Sequence, residues 1–153
     1  MSYPRNYTNI ETKKTYNVTL SQPGKLFLIK ATCTPTEWGS VEWEIKDSEF
    51  LLHTIQSHPE KGSGLGSLLM SLAALEAQLG NCEKIKVLSA ALSKREFYFS
   101  MGCFVDTSAL ASFNQEEFSK EEWAQLSGSC PVVADTVDVV VKSSKSVFKR
   151  WTC

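Results

Sequence analysis

Nowhere does the 153-residue sequence string together about 18 apolar residues, which excludes a membrane-spanning helix on length alone. No Cys-x-x-Cys pair and no Cys/His cluster is present, so a structural zinc site has no ligand set and no metal is expected. The five cysteines, Cys33, Cys82, Cys103, Cys130 and Cys153, are odd in number and widely spaced, as suits reduced thiols rather than a disulfide framework. Charge of one sign is also lacking. Sixteen Lys+Arg against 17 Asp+Glu leave a net −1, and the short pairs Lys13-Lys14 and Lys149-Arg150 read as solvated surface, so there is no strong nucleic-acid signal. The opening residues, Met1 to Asn6, lack the apolar core of a signal peptide, and a cytoplasmic protein is expected. The sequons Asn6-Tyr7-Thr8 and Asn17-Val18-Thr19 are then chance matches. Repeats, linkers and low-complexity stretches are missing as well.

What is present is a globular composition, 42% hydrophobic and 22% charged, in a chain sized for one domain over 1–153. Tyr16, Val18 and Leu20 alternate as in a half-buried strand, and Ser21 to Gly24 has the chemistry of a turn. Lys25–Thr34, Val41–Ile45 and Glu49–Ser57 follow as strands, the last two joined by a turn at Lys46-Asp47-Ser48, giving an antiparallel meander. The pattern then changes. Leu65, Leu68, Leu69, Leu72, Leu75 and Leu79 recur at three and four, predicting a helix over Ser67–Leu79 buried along one stripe and ended by Gly80 in the left-handed region before Asn81. Ile85–Leu88 is a short strand; Ser93 and Glu96 have the form of a capping box opening a helix through Tyr98 and Met101, which Gly102 ends, and Phe104-Val105 starts another strand. Asn114–Leu126 reads as a helix, Ser127–Pro131 as a break, and Val137–Val141 with Ser146–Trp151 as terminal strands around Ser143-Ser144. The fold class expected is α/β, an α+β arrangement with one mixed sheet and an additional C-terminal helix and strands.

Chemistry concentrates in His53–Gly66, where a strand enters a glycine-rich turn and then a helix. The first N–H groups of a helix have no internal acceptor, and with the helix dipole they form a site for a phosphate or diphosphate. Gly62, Gly64 and Gly66 would let the main chain approach such an anion closely. A dinucleotide fingerprint needs G-x-G-x-x-G after a parallel strand, and a P-loop needs Lys after its last glycine; neither pattern is met. A plain glycine-rich helix entrance stays open on spacing alone.

Lys61-x-x-Gly64-x-Gly66, after a strand ending in His58-Pro59, resembles the Arg/Gln-x-x-Gly-x-Gly/Ala signature of the GNAT (Gcn5-related N-acetyltransferase) family. Phe97-Tyr98-Phe99-Ser100-Met101-Gly102-Cys103-Phe104 looks like that family's second signature, F-Y-x-x-x-G-F, with Cys103 at the usual aromatic position. The resemblance spans about Val41 to Val105 and implies a compact GNAT-like acyltransferase domain binding acetyl-CoA. It assigns Lys61, Gly62, Ser63, Gly64, Leu65, Gly66 and Ser67 to the cofactor diphosphate, and main-chain groups of Ile55 and Ser57 to the pantetheine arm. An N–H near Ile55 would polarise the thioester carbonyl. Tyr98 would be general acid to the departing thiolate, because a phenol of pKa about 10 suits that leaving group. His53 would take the acceptor's proton directly or through water, with Glu49 and Glu44 as rivals and His58 structural or beside the cofactor. The family's helices between its first two strands have no counterpart between Leu20 and Lys25, which implies an open acceptor surface suited to a protein lysine or N-terminal amine, with Asn114–Leu126 as a partial lid. The implied activity is acetyl-CoA-dependent N-acetyl transfer in a ternary complex. The alternative, motivated by the departures from the signatures at Lys61 and Cys103, is an inactive GNAT-like module that binds or inhibits a host or partner protein. Phe97–Ser100 and Lys149-Arg150-Trp151 look faintly like small mobile-element acetyltransferases, including phage-encoded inhibitors of host nucleases.

Overall fold

The computed structural model describes residues 3–58, 64–91, 94–106 and 129–153. The chain opens with strands β1 (Asn6–Asn9), β2 (Thr15–Ser21), β3 (Phe27–Thr34), β4 (Glu37–Lys46) and β5 (Glu49–His58), then helix α1 (Leu65–Leu79) and strand β6 (Lys84–Ala91). Helix α2 (Arg95–Ser100), β7 (Phe104–Val105), β8 (Ser129–Asp135), helix α3 (Thr136–Arg150) and β9 (Trp151–Thr152) complete the described elements. The nine strands form one sheet in the order β7-β8-β6-β5-β4-β3-β2-β1-β9, antiparallel everywhere except between β5 and β6. Parallel strands need a crossover, and α1 provides it.

The expected meander is present with one strand more, β1. Between β4 and β5 the turn residues Asp47 and Ser48 both take positive φ, 53° and 64°, the signature of the two-residue turn that matches strand twist. Only residues 22–26 join β2 to β3, as the sequence implied.

Helix α1 begins at Leu65 rather than Ser67, and its burial is not confined to one stripe. Leu68, Leu69, Met70, Ser71, Leu72, Ala73 and Ala74 are all buried, so the helix is enclosed on more than one side. One side meets the sheet, where Gly39 on β4 lets Leu65 and Leu69 come close: a methyl group on Gly39 would lie 2.7 and 2.8 Å from their terminal carbons. Another meets α3. At the far end Asn81, not Gly80, takes the left-handed conformation, with φ 57° against −83°. Gly80 is small for a different reason, since a methyl there would lie 2.8 Å from Ile45 Cδ1.

Helix α3 corrects the expectation of terminal strands at Val137–Val141 and Ser146–Trp151. Thr136, Val139 and Ser143 are buried, with Val140 and Val147 packed against the core: a helical stripe at three and four. The run of valines has strand propensity, but tertiary burial overrides it. Its beginning is fastened by Thr136, whose hydroxyl donates to Cys82 O at 2.7 Å and whose N–H donates to Glu83 O at 2.9 Å.

The break expected at Ser127–Pro131 is corrected too, because β8 starts at Ser129 and carries Pro131 within it. The register of β6 slips between Val87 and Ala90 opposite Cys130–Val132, so the proline that cannot donate to the ladder sits at an irregularity. Ser93 and the expected Asn114–Leu126 helix lie outside the described residues. Lys94 stands at the cap of α2 without a side-chain hydrogen bond, and Gly102, at φ 91°, follows that helix as anticipated.

Candidate functional site

Strands β5 and β6 pair only from Phe50–Leu52 to Ile85–Val87. Both continue, β5 to His58 and β6 to Ala91, but no longer as partners. The parting coincides with a bulge. On β4, Glu42 and Trp43 are adjacent, yet they pair with Thr54 and Leu52, which leaves His53 as the extra residue. A one-residue insertion exchanges the two faces of a strand. Before it, Phe50 and Leu52 are fully buried; after it, Ile55 and Ser57 are the half-buried residues and Thr54 and Gln56 are exposed. Ile55 and Ser57 pair with Val41 and Gly39 of β4 on one side, and their other edge faces the opening.

The bulged His53 places Nε2 3.1 Å from Glu44 Oε1, both side chains about one third exposed. Its rivals are thereby separated. Glu44 is the histidine's partner, whereas Glu49 forms an ion pair with Lys86 at 3.1 Å. With Nε2–H donated to the carboxylate, Nδ1 carries the free lone pair. His58 stacks on Trp38, ring centroids 6.0 Å apart, which favours its structural assignment.

At the end of β5 lies the entrance to α1. Lys61, Gly62 and Ser63 lie outside the described residues; Gly64, Leu65, Gly66 and Ser67 are described. Gly64 is the N-cap with φ 75°, in the left-handed region where a side chain would be strained. The helix has no side-chain cap and no acidic residue in its first turn, so its own side chains leave its positive end uncompensated. Phe97 of α2 reaches this entrance: a methyl on Gly66 would sit 3.7 Å from its ring, an ordinary contact. Arg150 and Trp151, at the end of α3, reach it from the other direction. A methyl on Gly64 would lie 2.9 Å from Arg150 Cδ, 3.2 Å from a guanidinium nitrogen and 3.4 Å from Trp151 Nε1.

Tyr98, 4% exposed, stands on α2, the helix following β6, with its ring edge-on to Phe97 at 5.3 Å. Burial, reinforced by Cys103, pushes its phenol up to about 12. Burial likewise raises the Cys103 thiol to about 12, so this cysteine is a packed group and not a nucleophile. Cys33, Cys82 and Cys153 are also unbridged. His53 thus stands on β5 and Tyr98 on the helix that follows β6, without a hydrogen bond between them among the described residues. Among those residues no cluster suited to a metal occurs.

Sequence reasoning missed Gly39, the His53 bulge and the approach of Arg150 and Trp151. A glycine in a strand pattern is a recognised sign of close backbone approach, so Gly39 carried a signal. The other two depend on long-range pairing.

The fold has counterparts among solved structures. An acetyltransferase of Bacillus subtilis crystallised with CoA is 10% identical, with 78% of this chain and 98% of that one covered at a TM-score of 0.57. Nourseothricin acetyltransferase is 14% identical over 88% and 89% of the two chains, TM-score 0.54. The PaiA N-acetyltransferase of Thermoplasma acidophilum, in complex with coenzyme A, is 13% identical over 72% of this chain and 61% of that one, TM-score 0.52. No protein-family model matches the sequence, and no curated protein matches it. The chain therefore has the mixed α/β fold of GNAT acetyltransferases, as the two sequence signatures implied.

Proposed function

We propose that the protein is an acetyl-CoA-dependent N-acetyltransferase whose acceptor is an amine of a protein or peptide, a lysine or an N-terminus. The observation that carries this reading is the parting of β5 from β6 at the His53 bulge, on the strand that ends at a glycine-lined helix entrance. An open strand edge and an anion-receptive helix end then lie in sequence along one path, which a carrier with an amide-bearing arm and a diphosphate requires. The Bacillus and Thermoplasma structures that share the fold contain CoA, which supports the assignment.

The residues present fit this group. Ile55 and Ser57 offer main-chain donors and acceptors on the open edge, as strand addition uses. Gly64, Gly66 and Ser67, together with Lys61, Gly62, Ser63 and Leu65 by the sequence signature, would hold the diphosphate. When bound, the cofactor supplies an acyl group activated as a thioester. His53 Nδ1 accepts the proton that an acceptor ammonium must lose, with Glu44 fixing the ring and stabilising the imidazolium. Tyr98 holds its proton on the phenol oxygen throughout the neutral range, the state a general acid needs. The direct β2–β3 connection leaves no helix between those strands to enclose an acceptor, which favours a large one.

Acetyl-CoA binding is tested by thermal shift. At a hundredfold excess over Kd, binding adds about 2.7 kcal/mol of stability. For a domain of this size that is a rise of roughly 5–10 °C. Turnover is tested by CoA release and acetyl mass adducts with lysine peptides and proteins. A melting temperature unmoved by acetyl-CoA defeats the reading; a clear shift without turnover on any amine leaves a binding module.

A further inference from the structure

Among the described residues, the side chains that reach the entrance of α1 are those of Phe97, Arg150 and Trp151, and none of them is a hydrogen-bond acceptor. Its first N–H groups lack intrahelical acceptors, it has no capping side chain, and no acidic residue lies in its first turn. Arg150 lays its aliphatic stem and guanidinium against Gly64, and among the described residues no carboxylate pairs with it. Trp151 is 4% exposed, and its Nε1 is buried without a hydrogen-bond partner. That orphaned donor faces the same glycine.

The position of both residues is enforced by the backbone. Trp151 N–H donates to Val147 O, Ile10 N–H donates to Arg150 O at 2.9 Å, and Asn9 and Thr8 pair with Trp151 and Thr152. The indole also packs edge-on against Tyr16, ring centroids 5.5 Å apart. A buried indole N–H left unpaired is uncommon and needs an explanation. A guanidinium held at the positive end of a helix, with no acid beside it among the described residues, needs one equally. Arg150 also lies in the last turn of α3, where a cation suits that helix's own dipole, but that does not account for the indole.

We propose that Arg150 and Trp151 are ligand-binding residues for a diphosphate at the α1 entrance. The Arg150 guanidinium pairs with the phosphate oxygens, and Trp151 Nε1–H donates to one of them. The proposal rests on the CoA reading and adds to it a cation and a donor from a separate helix, outside both sequence signatures. Arginine matches phosphate geometry through a fixed fork of donors, and a charge-assisted bond from a buried indole is correspondingly strong.

The test uses the whole chain and two probes, CoA and inorganic pyrophosphate. Calorimetry on Arg150→Gln, a neutral change at an exposed side chain, should raise the Kd for CoA by about tenfold to a hundredfold. In the unaltered protein, the Trp151 indole N–H resonance, identified as the one absent from Trp151→Phe, should move downfield on saturation with pyrophosphate. CoA binding within twofold in Arg150→Gln, with an unmoved indole, overturns the proposal and leaves the CoA reading intact. Pyrophosphate binding with the indole shift but no CoA binding sustains the anion site and removes the CoA reading. Binding of neither probe to the unaltered protein removes both.

Discussion

Gly66→Ala separates what the fold needs from what a ligand would need. The added methyl would lie 3.7 Å from the Phe97 ring, an ordinary van der Waals distance, so nothing among the described residues has to move. Gly66 is the second residue of α1, and its φ is not among the positive ones. Alanine is favoured over glycine within helices by about 0.5–1 kcal/mol. At 2–4 °C per kcal/mol for a domain of about 150 residues, the melting temperature should rise by roughly 1–4 °C. The GNAT signature reads Gly or Ala at this place, so the methyl is compatible with a diphosphate at the helix entrance, and calorimetry should find CoA bound within about twofold of the unaltered protein. A more stable protein with unchanged cofactor binding is a combination that general damage does not produce. A variant that melts lower refutes the geometry around Phe97, and one that binds CoA about tenfold more weakly refutes the match of Gly66 to the Gly/Ala place of the signature.

Gly39→Ala should do the reverse, because its methyl would meet two fully buried leucine termini at 2.7 and 2.8 Å. Overpacking of this kind costs about 1–3 kcal/mol, visible as a lower urea midpoint with an unchanged slope. Tyr98→Phe should lower kcat by about 10²–10⁴ while leaving CoA affinity unaltered, as measured by single-turnover kinetics and calorimetry. His53→Gln should reduce kcat/KM for an amine acceptor over a similar range, with a smaller loss in Glu44→Gln, since the carboxylate acts through the ring. Stability should fall in alkali. The Tyr98 phenol, ordinarily at 10.0, is held at about 12, so below pH 10 both folded and unfolded chains keep the proton. Between those values the unfolded chain alone releases it, which favours unfolding. Urea midpoints from pH 8 to pH 11.5 should stay level to about pH 10 and then decline, and the Tyr98→Phe protein should decline less.

Local patterns carried the elements whose burial repeats within a few residues. The alternation of Tyr16, Val18 and Leu20, the leucines of α1 and the turn at Asp47-Ser48 all became the elements that their spacing predicts. The two GNAT signatures were legible because each is a contiguous run. Helix α3 was not, because Val137, Val139, Val140 and Val141 satisfy strand propensity and a helical stripe at once, and only packing against α1 decides between them. The His53 bulge was hidden for a related reason. Its residues, Leu51 to Ile55, read as an uninterrupted strand, and the insertion is defined only relative to Glu42 and Trp43 on β4. Arg150 and Trp151 read in sequence only as a terminal basic-aromatic run, since their distance from Gly64 along the chain conceals their proximity in space.

The packing of α1 links stability to the candidate site. A helix buried on more than one side cannot rest on a sheet alone; a second element must cover it, and here α3 does. Thr136, where α3 begins, is bonded to Cys82 and Glu83 just beyond the end of α1. Arg150, where α3 finishes, lies against Gly64 at the start of α1. The two helices therefore run antiparallel, and the residues that close α3 arrive at the open end of α1 as a consequence of core packing. The pairing of β9 with β1 then fixes Trp151 there. One solution to burying a leucine-rich helix thus delivers a guanidinium and an indole N–H to the start of that helix. Loosening α3 should accordingly weaken the proposed anion binding at α1, read by calorimetry with pyrophosphate, before it disturbs the His53–Glu44 pair, which joins β4 and β5.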